Sequence, residues 1–272
     1  ALGSRISDYL IKPVNPHQIL LSLKKNLDSK RLVNEKVTSS YQKEFREISM
    51  ALMDVRSLKD WEEIYQKLVH WEVELDTIDS SGMVEILEMQ KSEANSQFFK
   101  YVKGNYEGWL KDGDEKPVLS HTLMKEKVFP HLRDDKSSFF ILIDNLRYDQ
   151  WKILQPIVEE WFKIEEETTF CSILPTATQY SRNAIFSGLT PLDLSKRFPH
   201  LWKNDHEEGG KNLHEKEFFE DQMQRVGLSN KKITYHKVVK KQYGDRLVEQ
   251  FSNLLNNDLN LIVYNFVDML SH

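Results

Sequence analysis

Ser138-Phe139-Phe140-Ile141-Leu142-Ile143-Asp144-Asn145 decides the fold class. Phe139 to Ile143 are apolar without interruption. A strand with one wet face alternates; an unbroken run marks burial on both faces, as in a parallel sheet. Asp144 then falls at the C-terminal end of the strand, where open α/β sheets gather their ligands. A carboxylate in that place can hold a divalent cation. It can equally cap a helix that begins near Leu146, and the segment by itself leaves the two readings level.

Working downstream, 170–174 is a second strand candidate and 260–267 a third, with helical segments between them, so the stretch 118–272 is read as an α/β domain with a mostly parallel sheet. The second candidate runs into Leu174-Pro175-Thr176-Ala177-Thr178-Gln179-Tyr180-Ser181-Arg182, and Asn183 to Phe186 is helix-like. A threonine at a strand-to-helix junction stands at a helix N-terminus, where backbone N–H groups favour a phosphate. Its hydroxyl is a poor nucleophile at its own pKa and needs a metal to make it an alkoxide. The plainer reading is a helix-capping threonine.

The third candidate leads into Asp268-Met269-Leu270-Ser271-His272, the chain's only Asp-x-x-x-His. On a helix, residues four apart share a face, so both side chains can reach one metal ion. The spacing is a weak signal; its place after a strand strengthens it.

Upstream the pattern is helical. Tyr41, Phe45, Ile48, Leu52 and Val55 follow steps of three and four, as do Trp61, Ile64, Tyr65, Leu68 and Trp71. Met83, Ile86 and Leu87, then Phe98, Val102, Tyr106 and Trp109, continue the pattern. Amphipathic helices of this kind, three or four in number, predict an all-α bundle over 29–117. At the start, Asp8-Tyr9-Leu10-Ile11-Lys12-Pro13-Val14 reads as a short strand ending at a proline, followed by a helix from about Pro16.

Composition narrows the class. The 272 residues are 40% hydrophobic and 29% charged, which supports a packed core rather than disorder. A net charge of −5 argues against a nucleic-acid coat protein. The single cysteine, Cys171, excludes an internal disulfide and fits a reducing compartment. No apolar run approaches the roughly 20 residues of a membrane span. A cytoplasmic address is expected.

Each motif has a counterpart in known families. Asp8 to Val14 is similar to the end of a two-component receiver domain, so 1–28 is read as the last strand and helix of one. Lys12 matches the lysine that senses the phosphorylated aspartate, although an ordinary surface lysine before a turn is the alternative. Strand-Asp, strand-Thr-helix and strand-Asp-x-x-x-His resemble the alkaline phosphatase superfamily, above all its PglZ branch. The resemblance implies two zinc ions. Asp144 and the nucleophile would serve one, and Asp268 with His272 the other. Pro175-Thr176-Ala177-Thr178 looks like a phosphodiesterase nucleophile segment, which favours Thr178 for attack with Thr176 as fallback. Further family ligands would lie beyond His272, as though the chain were part of a longer one.

Taken in order, a receiver remnant, a helical bundle and a PglZ domain resemble PorX-type response regulators, which control type IX secretion. That implies a cognate sensor histidine kinase, homodimerisation on phosphorylation, a sigma factor and a secretion-motor protein as further partners, and a phosphodiester or oligonucleotide substrate. A signalling adaptor that binds such partners without catalysis is the competing reading. Arg147 and Arg182 are candidates to orient phosphate oxygens through their planar guanidinium forks. Lys231, Lys232, Lys237, Lys240, Lys241 and Arg246, interleaved with Tyr235, His236 and Tyr243, read as a substrate groove or, more plainly, a solvated helix face.

Overall fold

The structure, a computed structural model, describes residues 16–78, 81–111, 116–133, 135–204 and 206–265. Lys12, Asp268 and His272 lie outside the described residues. Two compact units divide the chain, Ala1–Asp112 and Gly113–His272.

Among the described residues the first unit holds three helices: α1 (Pro16–Met53), α2 (Leu58–Asp76) and α3 (Ser81–Trp109). Pro16 suits the first helical position, where its missing N–H costs nothing. The boundary expected after residue 28 falls inside α1, which runs unbroken past it. A capping box starts α2: Asp60 N–H donates to Ser57 Oγ (3.2 Å), and Ser57 N–H donates to the Asp60 carboxylate (2.8 Å). Backbone donation from Arg56 and Ser57 holds the Asp60 carboxyl below the usual carboxylate range.

The apolar stripes meet in one core. Tyr41, Ile48 and Leu52 of α1 pack with Trp61, Ile64, Leu68, Trp71 and Leu75 of α2 and with Leu87 and Ala94 of α3. Inside it, Gln90 donates to the Phe45 carbonyl (3.0 Å) and to Ser49 Oγ (3.1 Å), which satisfies a buried amide. Burial pushes the Tyr41 hydroxyl up to about 12. His70 is exposed beside the ring of Trp71.

The second unit is built on a parallel sheet of β1 (Ser138–Ile143), β2 (Ile233–Val238) and β3 (Leu259–Tyr264) in the order β1-β3-β2. Central β3 is buried from Leu259 to Val263. Its one polar member, Asn260, is fully buried and satisfied: it donates to Ser137 Oγ (2.9 Å) and the Leu254 carbonyl (3.0 Å) and accepts from Thr234 Oγ1 (2.7 Å). Around the sheet stand α4 (Tyr148–Glu159), α5 (Thr178–Ser187), α6 (Pro191–Arg197), α7 (Glu215–Arg225), α8 (Lys241–Glu249) and the single turn α9 (Phe251–Leu254). Phe186, Leu194, Phe218, Phe219, Leu259 and Leu261 anchor this core.

Two expectations are corrected. Residues 170–174 make no strand; Cys171 forms one isolated parallel bridge to Leu119, with Cys171 N–H donating to the Val118 carbonyl (2.8 Å). The basic stretch is not one helix face, because Ile233–Val238 is a sheet strand and α8 begins only at Lys241. Ile-Thr-Tyr-His-Lys-Val is rich in β-branched and aromatic residues, and the lysines around it obscured that signal. No helix of the described residues is long and apolar enough to cross a membrane.

Gly188 ends α5 with φ of +62°, the left-handed conformation that glycine adopts most cheaply. A Cβ there would lie 2.2 Å from Gln222 Nε2, so the close approach of α7 also demands glycine.

Candidate active site

The strand register sets the geometry. Ile143 pairs with Tyr264, and Tyr264 with Val238, so all three strands end on one row. Asp144 follows β1, and its N–H donates to the Tyr264 carbonyl (2.9 Å). Asn145 takes φ of +62°, which asparagine tolerates, and the chain turns toward α4. Asn265 follows β3, its N–H donating to the Val238 carbonyl (3.0 Å).

A cleft of about 440 Å³ opens at this edge, lined by Asp144, Thr176, Thr178, Ser181 and Arg182 with apolar walls from Leu123, Phe140, Phe170 and Ile185. Thr178 is the first residue of α5 after Ala177, and no side chain caps that helix start. Both Thr176 and Thr178 are exposed. The segment that carries them is moored from behind. Ser181 Oγ lies 2.7 Å from Ser172 Oγ and 3.1 Å from Ser120 Oγ, and fully buried Ser120 accepts from the Ile173 N–H (3.0 Å).

Arg182 stands one helical turn beyond Thr178, hence on the same face of α5. It is buried, and its guanidinium binds protein carboxylates. Nη1 donates to Asp144 Oδ2 (2.7 Å) and to Asn265 Oδ1 (3.2 Å), and Nε donates to Glu215 Oε1. Asn265 Nδ2 completes the triangle on Asp144 Oδ2 (3.4 Å). Glu215, whose side chain is fully buried, also accepts from Tyr235 Oη and from Lys237 Nζ (3.3 Å). Burial and the neighbouring Glu215 charge push the Tyr235 hydroxyl up. Lys237 further donates to the Asn212 carbonyl (2.6 Å), and Asn212 Nδ2 donates to the Thr178 carbonyl (3.3 Å).

Arg147 is placed differently. It stands just before α4, is not among the residues lining the cleft, and binds Asp149 through Nε (3.0 Å) and Nη2 (2.6 Å). That pairing holds the Asp149 carboxyl below the usual range.

Of the residues singled out from sequence, Asp144, Thr176, Thr178 and Arg182 therefore share one cleft, and Arg147 does not line it. Glu215 and Asn265 escaped notice as site residues, and Lys237 was noticed only as part of the basic stretch. Glu215 had left a trace. With Phe218, Phe219, Gln222 and Met223 it falls on the apolar face of α7, where a charge implies a buried partner.

Among the described residues no three His, Cys, Asp or Glu side chains gather closely enough to hold a metal ion. The donor types nonetheless suit zinc: a carboxylate from Asp144 and a hydroxyl from Thr178 at one cleft, and a carboxylate and an imidazole from Asp268 and His272 a few residues beyond Asn265.

Two family models match the chain. Residues 31–110 match the PorX response regulator linker domain, and residues 123–272 match the BREX system PglZ alkaline phosphatase-like domain. The chain belongs to the PglZ alkaline phosphatase-like family. Linker and PglZ domain in this order are the PorX-type architecture, a response regulator with a phosphatase-like output domain. A sensor kinase is the partner that such an architecture implies. No curated protein matches the chain. Asp144, Thr176 and Thr178 all fall within the residues that match the PglZ domain.

Proposed function

We propose that the PglZ cleft hydrolyses phosphodiesters with two zinc ions, and that phosphorylation of a receiver domain governs it by promoting dimerisation. One observation carries the reading: Asp144 and Thr178 line the same cleft, with Thr178 at the uncapped start of α5. Bound zinc would make the threonine hydroxyl acidic enough to attack and would offset charge on the phosphoryl oxygens. The chain supplies the rest. Asp144 and Thr178 would hold one ion, and Asp268 and His272 the other. Thr178 presents the attacking oxygen, with Thr176 as the alternative. The first N–H groups of α5 face an anion in the cleft. Attack by the hydroxyl would expel one alcohol of the diester, and water would then hydrolyse the phosphorylated threonine and restore the hydroxyl.

Arg182 cannot give Asp144, Asn265 and Glu215 its Nη1 and Nε donors and also clamp a phosphate with the same ones, so we assign it to ordering the site. Arg147 could reach substrate only by leaving Asp149. Lys12 would sense the phosphorylated aspartate of the receiver. The substrate would be an oligonucleotide or cyclic phosphodiester, and the regulated process type IX secretion, through a sigma factor and a secretion-motor protein.

Elemental analysis of the full-length protein, followed by turnover of bis-p-nitrophenyl phosphate and short oligonucleotides, tests this. About two zinc per chain, with turnover lost in Thr178→Val, is the expected result. No metal and no turnover would overturn it in favour of the adaptor.

A further inference from the structure

Four charged groups form a chain that starts in the cleft and is buried at its middle: Asp144, Arg182, Glu215 and Lys237. The order alternates acid and base, so the four charges sum to zero when all are ionised. Arg182 exposes 5% of its side chain and Glu215 none. Burial of such groups is costly unless each is paired and hydrogen-bonded. Here each contact also reaches a part of the site. Asp144 is the expected metal ligand. Asn265, held by both Arg182 and Asp144, stands three residues before Asp268. Asn212, held by Lys237, binds the Thr178 carbonyl.

We infer that Glu215 is a positioning residue for the metal centre: it holds Arg182 in the orientation that fixes Asp144, and its negative charge offsets the Arg182 charge near a bound divalent cation. The inference rests on the metal site of the proposed function. Arg182 alone would orient Asp144 but would also place a full positive charge beside the cation, and like charges at that range repel strongly in a partly buried site. Glu215 offsets it. Lys237 and Tyr235 then fix Glu215, whose second oxygen they share. Outer-shell partners of this kind commonly govern metal affinity by about 10- to 100-fold.

Zinc binding to the full-length protein, measured by competition with a chelating dye well below the melting temperature, tests the inference. Glu215→Gln keeps shape and loses charge, and its zinc affinity falls about tenfold or more. Glu217→Gln removes the same charge from a half-exposed position two residues away and binds as the wild type does. Tyr235→Phe removes one donor to Glu215 while keeping the ring against Phe186, and weakens zinc binding severalfold; it carries the test if Glu215→Gln fails to fold. A residue that served only stability would lower the melting temperature and leave the affinity of the folded protein unchanged. Unchanged affinity in both folded variants overturns the inference and spares the proposed function. A wild type that binds no zinc overturns both.

Discussion

Arg182 Nη1 lies 2.7 Å from Asp144 Oδ2, so a helix that starts with a candidate nucleophile and a strand that ends with a candidate metal ligand are joined by one buried ion pair. The pair fixes the spacing between the two halves of the cleft. Its removal leaves charge without compensation. Arg182→Met should destabilise the protein by about 3–5 kcal/mol, because Glu215 stays buried and Asp144 loses its cation. Adding Glu215→Leu should recover part of the loss. Denaturant melts of the single and double variants measure it, and equal stability of wild type and Arg182→Met would refute the argument.

The two threonines should separate by kinetics. Thr178 sits on the first position of α5, whereas Thr176 lies ahead of the helix. Thr178→Val should lower turnover of a phosphodiester by about a thousandfold or more, since it removes the proposed nucleophile. Thr176→Val should change it by less than about tenfold. The reverse order would move the nucleophile to Thr176.

Gly188→Ala should cost about 1–3 kcal/mol from its left-handed backbone and its clash with Gln222 together. Gln222→Ala in the same protein should relieve the clash and leave the backbone cost. A double-mutant cycle by thermal or chemical denaturation reads the difference as a coupling energy, and additive effects would exclude the contact.

Two histidines predict acid sensitivity. His121 Nδ1 and His236 Nε2 are buried without a hydrogen-bond partner among the described residues, and burial lowers both from the ordinary histidine range, helped at His121 by Lys116. The unfolded chain therefore takes up these protons first as pH falls. Stability is retained above the unfolded value of about 6.5 and is lost as pH falls below it toward the folded values. The melting temperature should drop between about pH 7 and pH 5, and His236→Phe should flatten that drop.

Much of this was legible in the residues. Phe139 to Ile143 announced a strand of the parallel sheet but not its place: β1 is an edge strand of the described sheet with Ile141 and Ile143 exposed, and the strand buried from Leu259 to Val263 is β3. Tyr41, Ile48, Trp61, Leu68 and Trp71 announced helices through their spacing. The strand at Ile233–Val238 was hidden because Lys231, Lys232 and Lys237 give a surface appearance to a stretch whose backbone pairs with β3. Phe170 to Leu174 misled in the opposite sense: apolar residues can line a cleft without joining a sheet. That Asp144, Thr176 and Thr178 line one cleft was readable because open α/β folds gather such residues at the C-terminal edge of the sheet. Glu215 was not, since its role depends on α7 meeting α5 and β2, contacts between residues far apart in the chain.

The common row on which the three strands stop acts as a ruler for everything beyond it. A slip of one residue in β1 would carry Asp144 about 3.3 Å along the strand and turn neighbouring side chains to the opposite face. The placement of the cleft residues is thus stored in backbone hydrogen bonds, which among substitutions only proline removes directly. The connections that leave this row and return to it can lengthen or shorten among homologues without moving the point from which the reactive groups are measured.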